Sequence, residues 1–249
     1  MKRKVLITGA AGRIGRFITG KLKGHYDFVL TDLRKPTDTH GFPFVQADIT
    51  DIAAVRTTCE PVDTVLHLAA DPHEDASWES ILPNNITGVY NVFQAANEAG
   101  CQRVIFASSV HVVAGYPDEV QVHTKMQVRP PNLYGASKAW GEALARFYAE
   151  QKDVSLICLR FGWVIDRNSE QIRPENPNLD VMLTFEDLTR LVRVSIEAPP
   201  DLHFGIFHGV SNNRWKRFDI SDARDLLGYA PKDDAFQLAG FKEGEKGKE

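Results

Sequence analysis

Short, continuous apolar runs alternate along this chain with longer stretches of helical periodicity. The runs predict strands at Val5–Ile7, Phe28–Leu30, Phe42–Val45, Thr64–Leu68, Val104–Ala107, Leu156–Leu159 and Ile206–Phe207. The periodic stretches predict helices over Ile14–Leu22, Trp78–Ala99, Tyr134–Glu150 and Thr184–Ala198, the last opened by a capping-box-like Thr184-x-x-Asp187. Strands that are apolar throughout, rather than at every second position, are covered on both faces. Separated by helices, they build a parallel sheet. The order predicts an α/β fold: a Rossmann-type doubly wound parallel sheet in a single domain over 1–249. Two polar, proline-bearing stretches, Tyr116–Pro131 and Asp166–Asp180, follow strand ends. That edge of an open α/β sheet is where ligands sit. A small C-terminal region, mainly 161–215, is therefore expected to hold substrate. The tail from Phe241 to Glu249 is charged, glycine-bearing and expected to fray.

The first strand meets the first helix through Thr8-Gly9-Ala10-Ala11-Gly12-Arg13-Ile14-Gly15. Glycines there let the backbone turn tightly and approach a pyrophosphate, and the helix N-terminus offers unpaired N–H groups and a positive dipole end. The second strand ends at Asp32, about 20 residues on, where a carboxylate accepts hydrogen bonds from ribose hydroxyls and repels a 2′-phosphate. NAD is thus expected over NADP, although Arg34 is of the type that accommodates that phosphate. Asp48-Ile49 either flanks an adenine or supplies the N-cap of a helix starting near Ile52.

Composition narrows the partners. A net charge of -4 leaves no dominant basic patch and argues against nucleic acid. No apolar run is long enough for a membrane span or a signal peptide, so a cytoplasmic enzyme is expected. Cys59, Cys101 and Cys158 are far apart and lie in apolar segments, which suits buried thiols rather than a disulfide framework. His67, His73 and His123 have no metal-ligand spacing.

Chemistry concentrates at two places. Ser108 and Ser109 follow the fifth strand, where a hydroxyl faces the ligand crevice and can hold a substrate oxygen. Tyr134 and Lys138 lie one turn apart on one helix face. A cation beside a phenol favours the phenolate, a base able to deprotonate an alcohol. His111 either hydrogen-bonds a sugar hydroxyl or a backbone group. Trp163 either stacks on a sugar face or packs in the core.

In this order, phosphate loop, strand-end serine and Tyr-x-x-x-Lys, the chain resembles the extended short-chain dehydrogenase/reductases of the NAD-dependent epimerase/dehydratase group. The resemblance assigns Gly9, Gly12, Arg13, Ile14 and Gly15 to the pyrophosphate, Asp32 to the ribose and Asp48 and Ile49 to the adenine. It sets Leu68, Ala69 and Ala70 beside the cofactor, gives Asn85 a structural or relay role there, and makes Ser109, Tyr134 and Lys138 catalytic. It places Arg160-Phe161-Gly162, after the sixth strand, on the nicotinamide side.

Within that group the likeness is to bacterial uronate dehydrogenases, which oxidise C1 of hexuronates to lactones. It implies NAD as cofactor, a sugar or sugar acid as substrate, Ser109, His111 and Trp163 as substrate contacts, and a homo-oligomer pairing through the helices around Asn85–Ala99 and Tyr134. Val110 and Trp163 stand where those enzymes have an asparagine and a serine, and Arg167 and Arg173 are the candidates for a carboxylate partner. A neutral aldose or a sugar phosphate is thus also open. The same catalytic set would serve a nucleotide-sugar epimerase or dehydratase. Only 111 residues follow Lys138, however, which leaves little to enclose a nucleoside diphosphate. A non-catalytic NAD-binding protein would need no Ser109, Tyr134 or Lys138.

Overall fold

The computed structural model describes residues 2–60 and 62–242. Its elements are β1 (Lys4–Thr8), α1 (Arg13–Leu22), β2 (Asp27–Asp32), β3 (Phe44–Gln46), α2 (Ile52–Cys59), β4 (Thr64–His67), α3 (Trp78–Ile81), α4 (Gly88–Glu98), β5 (Arg103–Ser109), α5 (Leu133–Gln151), β6 (Ser155–Phe161), β7 (Trp163–Ile165), β8 (Met182–Thr184), α6 (Phe185–Ile196), β9 (Phe204–Gly209), α7 (Ser221–Leu227) and α8 (Ala235–Leu238). Seven strands form one parallel sheet in the order β3-β2-β1-β4-β5-β6-β9. The order reverses direction between β1 and β4, the switch point of a doubly wound fold.

Each face of the sheet carries its own apolar layer because alternate strand residues point opposite ways. Val5 and Ile7 join Ile18 of α1 and Leu188 and Leu191 of α6. Leu6, between them, joins Val55 of α2, Phe93 of α4 and Tyr148 of α5. The three cysteines are free and buried. A third, small cluster of Ile165, Leu179, Met182, Ala235 and Ala239 lies in the C-terminal region, under the β7–β8 pair. No described helix is long and apolar enough to cross a membrane.

Several details depart from the sequence pattern. The long helix expected over Trp78–Ala99 is α3 and α4 joined by a wide π turn, Leu82–Thr87. Pro83 cannot donate in the i→i−4 ladder, and its ring displaces the carbonyl one turn back. The third strand begins two residues later and ends one residue later than expected, and Asp51, not Asp48, caps α2 by accepting from the Ala53 and Ala54 N–H groups. Arg160 and Phe161 lie within β6 rather than beyond it. Thr184 caps α6 as expected, but Asp187 turns its carboxylate to Arg190 and to the Lys232 and Asp233 N–H groups instead of back to Thr184. Most of the tail expected to fray, from Glu243 onward, lies outside the described residues.

At the opposite edge of the sheet, buried Arg103 neutralises the C-terminal end of α6. Its guanidinium donates to the carbonyls of Ser195, Ile196, Ala198 and Pro199 and to the Ser155 hydroxyl. Arg3 donates to Ile196 as well. Two cations thus face the negative end of one helix dipole. Arg103→Met should leave the Ser195 and Ala198 carbonyls without this donor, while Arg3 still serves Ile196 and the Leu202 N–H still serves Pro199, and cost about 2–3 kcal/mol. The urea midpoint should fall with an unchanged slope; an unchanged midpoint would refute this account of α6.

Candidate active site

The register of the sheet brings the C-terminal ends of β1, β2, β4 and β5 to one crevice. There a cavity of about 400 Å³ is lined by the loop Gly9–Gly15, by Asp32 and Leu33, by Asp48 and Ile49, and by Leu68–Ala70. Ala107, Pro72, Asn84 and Val164 also line it.

The loop conformation needs its glycines. Gly9 has φ +70, and a Cβ there would lie 2.8 Å from the Ala69 nitrogen; at Gly15 it would lie 2.4 Å from the Gly9 carbonyl oxygen. Gly12, the N-cap of α1, provides no side chain to satisfy the first N–H groups of the helix, and Arg13, Ile14 and Gly15 sit in the cavity wall. An anion fits this end. Asp32 accepts from the Ala11 N–H at 2.9 Å, which ties the loop to β2 and leaves carboxylate lone pairs for a further donor. Arg34 is exposed and donates its own N–H to Asp32 at 3.3 Å. Arg13 lies over the Phe185 ring and reaches the Val164 carbonyl, so the loop is braced against the C-terminal region. A dinucleotide has here a helix end for its phosphates, an acid for its ribose and an apolar slot. The residues present fit NAD.

Beside the cavity the expected trio converges. Ser109, the last residue of β5, accepts from the His111 N–H at 3.2 Å, so it caps the following turn. Its hydroxyl also faces the Tyr134 phenol. Lys138 is buried; its ammonium donates to the Ala107 carbonyl at 2.8 Å and lies 5.6 Å from the Tyr134 ring centroid. Burial raises the Tyr134 phenol above its ordinary value; the Ser109 hydroxyl opposes the shift, and the Glu74 and Asp71 carboxylates add to it. The free chain therefore keeps the phenol protonated, contrary to the simple expectation that Lys138 alone would lower it. Burial also lowers the Lys138 ammonium, to about 8.

His111 is held in one tautomer. Asn132 caps α5 by accepting from the Gly135 N–H at 2.8 Å, which turns its amide nitrogen toward His111 Nδ1 at 3.1 Å. The His111 proton then lies on Nε2, 3.2 Å from the Glu74 carboxylate. The ring meets Tyr134 edge-on at 5.8 Å. Thr8 acts similarly on His67: its hydroxyl accepts from the Leu68 and Ala69 N–H groups and so donates to His67 Nδ1 at 2.7 Å. Burial holds that imidazole neutral, with a pKa lowered to about 3.

Other expected residues sit elsewhere. Asn85 does not line the cavity; its amide accepts from the Asp71 N–H and donates to the Asp71 carbonyl and the Ser137 hydroxyl, so it anchors the loop after β4 to α5. Its neighbour Asn84 is in the wall. Trp163 packs on the small C-terminal cluster, while Val164 faces the cavity, as alternation along β7 requires. Ser108 turns inward to Glu142 rather than to the crevice. Arg167 is paired with Asp233, and Arg173 is exposed. Glu74 carried no sequence signal; Glu142 was legible as the residue one turn after Lys138, in Gly141-Glu142-x-Leu144-Ala145-Arg146, and Asn132, directly before an apolar helix start, had the form of an N-cap.

The family model described as the NAD dependent epimerase/dehydratase family matches residues 5–175. The chain belongs to this family. It is 37% identical over 260 residues to the NAD-dependent glucose-6-phosphate dehydrogenase of Haloferax volcanii, covering 96% of each chain. It is 30% identical to the L-arabinose 1-dehydrogenase (NAD(P)(+)) of the same organism, covering 93% of this chain and 97% of that one. Among solved structures it resembles a mutant uronate dehydrogenase from Agrobacterium tumefaciens complexed with NAD, with a TM-score of 0.85 and 32% identity over 95% of this chain and 88% of that one.

The buried ammonium has a consequence for stability. Lys138 titrates near 8 in the folded chain against an ordinary 10.5. Between those values the unfolded chain holds a proton that the folded chain has released, so stability rises with pH through this window. Measured against Lys138→Met, the wild type should gain up to roughly 3 kcal/mol from pH 8 to pH 10.5 in urea melts. A difference that stays flat would show that the ammonium is not buried as described.

Proposed function

We propose that this protein is an NAD-dependent oxidoreductase that oxidises a ring-sugar hydroxyl, at C1 of an aldose or a hexuronate, to the lactone. The observation that carries this reading is the meeting of the Ser109 hydroxyl, the Tyr134 phenol and the Lys138 ammonium beside the dinucleotide-shaped cavity. Gly9, Gly12, Arg13, Ile14 and Gly15 would hold the pyrophosphate, Asp32 the ribose, and Asp48 and Ile49 the adenine, with Leu68, Ala69 and Ala70 along the centre. When bound, NAD supplies a hydride acceptor and a positively charged ring.

Tyr134 takes the proton of the reacting hydroxyl, and Ser109 holds the same oxygen in line. Placing these groups in contact with the substrate removes much of the entropic barrier. A phenol that burial keeps protonated in the free chain becomes a base only when a positive charge is brought beside it, so proton removal is tied to cofactor occupancy. His111 offers Nε2–H, and Glu74 an acceptor, to a sugar hydroxyl at the mouth. The relatives named above are dehydrogenases of a sugar phosphate, a neutral pentose and a uronate, and each bears on the panel below.

The two helices thought to pair in a homo-oligomer leave Tyr90 and Phe147 exposed, which supports that association. Ala95, Ala96 and Ala145 are spent on the protein's own core. Sedimentation should find a dimer or larger assembly.

The decisive assay offers glucose 6-phosphate, L-arabinose, galacturonate and glucuronate with NAD and follows NADH. One of these classes should give net NADH. No NADH from any, with interconversion of a nucleotide sugar instead, would favour an epimerase, which returns its hydride. Tyr134→Phe should lower kcat by about 10²–10⁴-fold with NAD affinity nearly unchanged. Full turnover in that variant would remove the mechanism.

A further inference from the structure

We propose that Glu142 is a positioning residue for Lys138: it supplies the negative charge of the buried pocket that holds the Lys138 ammonium. The inference rests on reading Lys138 as the charged group of the site, but not on which sugar is oxidised.

Glu142 follows Lys138 by one helical turn on the same face of α5. It is buried and fully engaged. Arg160 of β6 donates to it in bidentate fashion, Nε to Oε1 and Nη2 to Oε2, both at 2.8 Å. The Ser108 hydroxyl donates to Oε1 at 2.6 Å. Ser108 directly follows Ala107, whose carbonyl accepts from Lys138 at 2.8 Å, and precedes Ser109. One carboxylate therefore grips the strand segment that carries both the ammonium's acceptor and the catalytic serine. The network continues through Arg160 to His208 Nε2 at 3.5 Å, and His208 Nδ1 donates to the Asp219 carbonyl at 2.9 Å.

A carboxylate in this place costs desolvation, and an ion pair deep in a core contributes little net stability over an apolar pair. Its charge acts on Lys138. The groups that face that ammonium are His67 of β4, held neutral; Phe106 of β5, whose ring lies 4.9 Å from it; and Tyr134 and Glu142 of its own helix, while Cys158 and Arg160 of β6 lie on the Glu142 side. Asp71 and Glu74, on the loop after β4, face the phenol instead. Of the groups packed around the ammonium, Glu142 alone brings a negative charge, and it opposes the lowering that burial imposes. Without it the ammonium would lose its proton at lower pH, and the site its fixed cation.

The test reads Lys138 directly in the ligand-free protein. Lysine-labelled (¹³C) protein is titrated by NMR, with the Lys138 resonance assigned by its loss in Lys138→Arg. In Glu142→Gln the Lys138 midpoint should fall by about one pH unit or more. That variant leaves Arg160 buried without its partner, so the double variant Glu142→Gln/Arg160→Met, which removes both charges, is measured beside it and should show a smaller fall, because losing the more distant Arg160 cation raises the midpoint part of the way back. Ser108→Ala keeps the carboxylate and should keep the midpoint. A midpoint unchanged in the double variant would overturn the proposal and leave Glu142 a purely structural residue. So would an equal fall in Ser108→Ala. Because no sugar is present, neither result depends on the proposed oxidation.

Discussion

Everything at this site depends on the parallel register of one sheet. Thr8 lies opposite Thr31 and His67, His67 opposite Phe106, and Ser109 opposite Phe161. Because all seven main strands run the same way, their C-terminal ends open on one edge. Gathered there are the glycine loop before α1, Asp32 at the end of β2 and Ser109 at the end of β5. A slip of one residue in β5 would reverse every side chain from Val104 to Ser109. It would turn Ser109 into the core and Ser108 to the crevice.

That edge is also where polar groups enter an otherwise apolar interior, and hydrogen bonds fix several of their side chains, although His67 Nε2 itself is buried without a partner. Thr8 orients His67. Asn132 orients His111 and caps α5. Asn85 joins the loop after β4 to α5, and Glu142 joins α5 to β5 and β6. A buried amide or carboxylate without such partners would cost several kcal/mol. Thus the helix that carries Tyr134 and Lys138 is attached to the sheet by hydrogen bonds of defined direction as well as by packing.

The electrostatics have a particular order. Burial pushes Tyr134 up and Lys138 down, so both are moved toward their neutral forms. The carboxylates of Glu74 and Asp71 further disfavour a phenolate. In this state the phenol is a poor base. A positive charge brought to the crevice would shift that balance toward the phenolate. The buried carboxylate of Glu142 works on the other member of the pair and preserves its charge.

Much was legible in the order of residues. Continuous apolar strands between helices pointed to a parallel sheet, and the glycines before α1, with Asp32 at the end of β2, pointed to a dinucleotide at its edge. These signals are local: strand pattern, helix start and turn chemistry all lie within short windows. The spacing of Tyr134 and Lys138 was local too, and so was the N-cap at Asn132. What the chain order could not contain is which group each side chain meets across the fold. Ser108 and Ser109 are neighbours of one type, yet one feeds Glu142 and the other faces Tyr134, because successive strand residues point to opposite sides. Trp163 and Val164 divide in the same way, and the tryptophan goes to a small cluster completed by residues more than 70 positions later. The direction in which Tyr134 titrates depends on burial and on carboxylates from a distant loop. Only the tertiary structure decides such terms, because desolvation and charge act through space, not along the chain.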